Sequence, residues 1–143
     1  ERFWQESTEG TASLPLSEEG DWATGMVSRD GKSLLLLDNA GSLRVRPLGD
    51  AGEEIQIQLE EGEEIGGVND RGEVYVYRRG LRPATVELLD PRSQRRRPYA
   101  TLSPADPTGF VEVSRCLVTP DGAAYAYTWY RQLSVLYLAS GLH

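Results

Sequence analysis

The densest run of chemically active side chains is "PRSQRRR", which places Arg92, Arg95, Arg96 and Arg97 in one short stretch of an acidic chain. Guanidinium groups bind carboxylates and phosphates through paired N–H donors, so such a run could meet an anionic partner. The competing reading is a solvated hairpin. Arg78, Arg79 and Arg82 lie in the same region of sequence. Opposing them are Glu53, Glu54, Glu60, Glu61, Glu63 and Glu64. Paired carboxylates perform glycosidase chemistry only at a defined separation within a cleft. A solvated loop between sheets is the simpler expectation for these acids.

Catalytic equipment is sparse. The one histidine, His143, is the last residue, and the one cysteine is Cys116. A Ser-His-Asp triad, a Cys-His pair and a histidine metal cluster are therefore not expected. Cys116 sits in the apolar stretch "VSRCLV" and reads as a buried structural thiol. Asp30, Asp70 and Asp121 precede turn glycines, but the D-x-D-x-D-G spacing of a calcium loop is missing. Capping of the turns by these side chains is expected instead. No catalytic residue, metal or cofactor is expected.

The net charge of −7 disfavours nucleic acid and anionic lipid, which require basic surfaces. No apolar run approaches the roughly 20 residues that span a bilayer, so direct membrane insertion is not expected. The first residues do not read as a signal peptide.

The elements that would position these side chains announce themselves by self-similarity. "MVSRDGKSLLLL", "GVNDRGEVYVY" and "LVTPDGAAYAY" each carry a short apolar approach, a polar turn and a β-rich run. The turns are marked by Asp30-Gly31, Arg71-Gly72 and Asp121-Gly122. Glycine reaches positive φ without steric cost, which suits a hairpin. The glycines recur at roughly 40 to 50 residues, the period of four-stranded propeller blades. Third strands are expected over 42–49, 84–90 and 133–140, and fourth strands over 53–60 and 95–102. The turns between them fall at 50–52 and 90–93. Ile55, Ile57 and Leu59 alternate with Gln56 and Gln58, the pattern of a half-buried strand. "RFWQESTEG" and "TASLPLSEEG" then read as a third and a fourth strand. No stretch has a helical apolar period.

The expectation is an all-β chain of four-stranded antiparallel β-propeller blades, about three in number, forming a partial propeller. One segment spans residues 1–143. It divides into the end of one blade (1–20), a blade (21–61), a second blade (62–103) and a closing partial blade (104–143). Sheet edges left open would recruit strands, so a homodimer or the remainder of a propeller would complete the blades.

The turn segments resemble the S-P-D-G-K repeats of TolB-like, WD-repeat-like bacterial propellers. The stretch "VTPDGAAYAYTWYRQLSVLYLASGL" is more specific. It resembles the closing blade of propellers attached to bacterial, acidobacterial-type serine/threonine protein kinases, which end close to T-P-D-G-x-x-Y-A-Y-x-Y-x-R-x-L-S-D-L-Y-L-x-x-G-L. Val135 replaces the usual Asp, Asn69-Asp70-Arg71-Gly72 replaces S-x-D-G, and Ser28-Arg29-Asp30 lacks the proline. No Gly-rich phosphate loop, H-R-D or D-F-G occurs. The resemblance implies a non-catalytic sensor or protein-interaction module in the C-terminal part of a kinase-linked signalling protein. It would be extracytoplasmic beyond a membrane helix and cytoplasmic otherwise. A gating propeller of a prolyl-oligopeptidase-like hydrolase and a carbohydrate-binding, lectin-like propeller are the alternatives.

Tyr125, Tyr127 and Trp129 share one face of a regular strand. They either pack between blades or form a surface on which a ligand stacks. Tyr130 and Arg131 are expected in or beside the following turn. With Trp129 and the arginines Arg95, Arg96 and Arg97, they are the candidates for binding a protein or small-molecule ligand.

Overall fold

The structure, a computed structural model, describes residues 2–6, 10, 13–49 and 52–137. The described residues form twelve strands and no helix. Strands β1 (Trp4–Glu6) and β2 (Ser13–Pro15) form a hairpin. Strands β3 (Trp22–Val27), β4 (Ser33–Asp38), β5 (Ser42–Pro47) and β6 (Ile55–Gln58) form a four-stranded antiparallel meander. Strands β7 (Glu63–Val68), β8 (Val74–Arg78), β9 (Ala84–Leu89) and β10 (Arg96–Leu102) form a second. Strands β11 (Phe110–Val118) and β12 (Tyr125–Arg131) pair as a final hairpin. The chain is all-β, built of propeller-like four-stranded blades, and among the described residues the sheets do not close into a ring.

The second strand of each four-stranded blade shows why the sheets stack. Side chains alternate between faces along a strand. Leu34, Leu35, Leu36 and Leu37 are all buried, so both faces of β4 are covered. Leu34 and Leu36 join Trp22 against Phe3 and Leu16 of the N-terminal hairpin region. Leu35 and Leu37 join Val74 and Val76 of the next blade. The run Val74-Tyr75-Val76-Tyr77 repeats this logic: its valines face β4, and its tyrosines meet Val113, Cys116 and Val118 of β11. Each fully buried side chain of this size contributes roughly 1.5–3 kcal/mol.

The inner strands approach closely at Gly67, which has φ of 150°. A Cβ there would lie 2.8 Å from the carbonyl oxygen of Val118, so only glycine fits β7 against β11. The register of β7 on β8 shifts between Ile65 and Gly67, a local bulge at the same point.

One expected strand, 133–140, does not form over its described residues. Gln132 to Tyr137 carries no strand, and Leu133, Val135, Leu136 and Tyr137 are 59%, 73%, 88% and 87% exposed. The third strands β5 and β9 are each flanked by two strands and packed on a neighbouring sheet. Residues 133–137 have neither a fourth strand nor a covering sheet among the described residues, so strand formation would bury little apolar area. The rest of that expected strand, 138–140, lies outside the described residues, as do Asp50 and Ala51 of one expected turn and His143. Tyr130 and Arg131 are also placed differently from expectation. They end β12 itself and are not in a turn.

Candidate functional site

Two of the three turns that join a first strand to a second share a side-chain device. In the first, Ser28 Oγ donates to Asp30 Oδ1 at 2.7 Å and accepts from the Ser33 amide, while Asp30 Oδ1 also accepts from the Lys32 amide. The β11–β12 turn repeats this with Thr119 and Asp121. Thr119 Oγ1 donates to Asp121 Oδ1 at 2.6 Å, and the Ala123 and Ala124 amides complete the set. The glycines Gly31, Gly72 and Gly122 sit at φ of 70°, 78° and 67°. Hydroxyl donation from Ser28 holds the Asp30 carboxyl below the usual range, and Thr119 does the same for Asp121.

The middle turn is one residue shorter and solves the problem differently. Asn69 Oδ1 accepts from both the Arg71 and Glu73 amides, and its Nδ2 donates to Glu73 Oε2. One carboxamide replaces the Ser-Asp pair. Asp70, expected to cap this turn, instead faces Arg29 of the preceding blade at 3.8 Å. Arg71 contributes its backbone amide to the cap.

The Ser28 and Asn69 turns border a cleft of about 740 Å³ between the two four-stranded blades. Leu35, Val45, Ile55 and Val68 form its apolar floor. Its rim carries the Ser28–Lys32 turn, the Asn69–Gly72 turn and the Asp90–Arg92 turn. In the last, Asp90 accepts from the Arg92 amide and from Ser93 Oγ, and the Ser93 hydroxyl leads in holding its carboxyl low. Clefts of roughly 300–1,000 Å³ with an apolar lining and a few polar groups are the usual form of ligand sites.

The arginine run is not gathered into one free basic patch. Arg96 grips Glu63 through two N–H···O contacts at 2.5 and 2.9 Å and reaches Glu87 at 3.4 Å. Arg97 bonds Glu73 at 2.8 Å. Arg78 contacts both Glu60 and Glu63, and Arg79 contacts Glu64 and Glu112. Glu60, Glu63 and Glu64, three of the six glutamates expected to be solvated, are thus partners of these arginines, and the Glu63 side chain is only 5% exposed. Arg95 is exposed beside the turn before β10, and Arg92 lies at the cleft.

Trp129 stacks edge-on with Phe110 at 6.1 Å and lies under the Arg131 guanidinium at 5.6 Å. Arg131 also approaches Asp106 at 3.5 Å. Tyr127 packs on the core between the last two sheets, while Tyr125 remains 45% exposed. Tyr130 is 64% exposed, and adjacent strand residues point to opposite faces. Tyr75, Tyr99 and Tyr125 form an edge-to-face series linking β8, β10 and β12. Burial pushes the Cys116 thiol up to about 11, which keeps it protonated.

The cleft escaped the sequence reading because its walls come from turns far apart in the chain. The arginine candidates and the aromatic candidates lie on different blades. No protein-family model, curated protein or solved structure matches the chain.

Proposed function

We propose that the chain is a non-catalytic β-propeller segment that acts as a sensor or protein-interaction module in the C-terminal part of a kinase-linked signalling protein. One observation carries this reading. Turns from two adjacent blades, each held by its own side-chain cap, converge on a cleft with an apolar floor and a charged rim. Loops held by a rigid scaffold are where binding function concentrates. The resemblance of residues 118–142 to kinase-linked closing blades supplies the signalling context. The cleft's residues offer hydrogen bonding, ion pairing and apolar contact, which are the means of recognition.

The parent reading frame tests the context. Kinase motifs upstream of this segment are expected, namely a Gly-rich loop, H-R-D and D-F-G. A downstream hydrolase domain with G-x-S-x-G would contradict the reading in favour of a gating propeller.

A further inference from the structure

We infer that the opening hairpin β1–β2 and the closing hairpin β11–β12 combine, between two copies of this chain, into a shared four-stranded blade. In both complete blades the fourth strand, β6 or β10, leads into the innermost strand of the next sheet, β7 or β11. β2 leads into β3 in the same way, so β1 and β2 hold the third and fourth positions of a blade. β11 packs beside β7, so β11 and β12 hold the first and second. Among the described residues neither β12 nor β1 has a strand on its other side. Each hairpin supplies the strands that the other lacks. β12 and β1 meet antiparallel, as β8 and β9 do. Joining them within one chain would close only about three blades, below the usual range of roughly four to eight.

Burial points to the same partner. Met26-Val27, Gly67-Val68 and Leu117-Val118 end the innermost strands β3, β7 and β11. Consecutive side chains face opposite neighbours. Val68 faces the preceding blade and Met26 the following one, and both belong to the apolar cluster between the two complete blades. Val118 also faces back, onto the second blade. Val27 pairs with Leu34, whose side chain faces the opening hairpin, so Val27 faces back as well. Yet Val27 is 54% exposed, against 7% for Val68 and 8% for Val118. The opening hairpin covers Trp22, Leu34 and Leu36 and leaves Val27 open. Leu117, which matches Met26, is 49% exposed for the complementary reason: no blade follows it among the described residues. A second copy's closing hairpin sets its Leu117 against Val27, as Met26 sits with Val68.

The remaining exposed apolar side chains follow the same division. Trp4 and Leu14 lie on the opening hairpin, and Tyr125, Trp129 and Tyr130 on the closing one. Within the two complete blades only Val27 and Leu81 are large, apolar and exposed. Two copies joined at both ends make a ring of four complete and two shared blades, which falls within the propeller range of roughly four to eight. A twofold axis relates the shared blades, and no hairpin edge is left open.

Light scattering of the full chain at micromolar concentration tests this, with Val27→Asp and Leu117→Lys measured separately and mixed. Both side chains are exposed, so each variant should keep the parent's far-UV circular dichroism, which is checked first. The parent should be a dimer. Each variant should dissociate about tenfold or more readily, because a charge buried without a partner is costly. An equimolar mixture should recover dimer, since one shared blade then pairs the two opposite charges and the other keeps both native side chains. A monomeric parent, a dimer indifferent to both substitutions, or variants that do not recover on mixing would overturn the inference. None of these results bears on the interaction-module reading, which rests on the cleft.

Discussion

Arg96 on β10 and Glu63 on β7 lie on the two outermost strands of one blade, yet their side chains meet across its face as a two-point guanidinium–carboxylate pair. The pair ties the edges of the sheet together over the intervening β8 and β9. Breaking a fully buried pair by removing one partner costs about 3–5 kcal/mol, but Arg96 keeps 26% of its exposure and Glu63 has 5%. Glu63→Gln should therefore cost about 2 kcal/mol, the lower figure reflecting solvent screening of the arginine. A double-mutant cycle with Arg96→Met in urea should show coupling of about 1–2 kcal/mol. Additive single effects would show that the pair contributes nothing.

Gly67→Ala should destabilise by about 1–3 kcal/mol, because the added Cβ meets the Val118 carbonyl and the backbone sits in a strained region for other residues. Thermal unfolding measures it. Gly31→Ala is the comparison, since a Cβ at Gly31 meets nothing within 4 Å and only the positive φ opposes it. The Gly67 variant should be the less stable of the two.

Asn69→Ala removes the acceptor for two backbone amides and should cost about 1–2 kcal/mol. Asn69→Asp keeps the acceptor but sets a carboxylate against Glu73 Oε2, to which Nδ2 donates at 2.7 Å, so it should not restore stability at neutral pH. An Asn69→Ala variant as stable as the parent in urea titrations would mean that the carboxamide is not what holds the turn.

The pH dependence follows from the carboxylates. Arg97, then Asn69, holds the Glu73 carboxyl below its ordinary value. A group depressed in the folded state contributes stability above its unfolded pKa and loses it as pH falls through the folded pKa. Stability should therefore decline below the ordinary carboxylate range. Glu73→Gln should flatten that decline, as read from urea midpoints across acidic pH. An unchanged or steeper slope would count against the Glu73–Arg97 contact.

The blades were legible in the sequence because local signals agreed. The turn glycines, the alternation through Ile55 and Ile57, and the run Leu34–Leu37 all specify strands at a blade-like period. The tail differs from its sequence pattern because residues 133–137 have strand chemistry without strand partners, and a strand needs a neighbour to bury its face. The ion pairs were not legible for a related reason. Arg96 and Glu63 are 33 residues apart, and only the meander brings them together. Asn69 escaped because a Ser-x-Asp-Gly pattern draws attention to the aspartate position, whereas the shorter turn moves the acceptor to its first residue. The cleft depends on the stacking of two blades, which no local pattern encodes.

Selection of a random-peptide phage library on the full chain, followed by hydrogen exchange with and without the tightest enriched peptide, tests most directly whether the turns around the cleft form the recognition surface. Slower exchange is expected at residues 28–33, 69–73 and 90–92, with 110–131 unchanged. Protection confined to β11 and β12, or no protection anywhere, would contradict it.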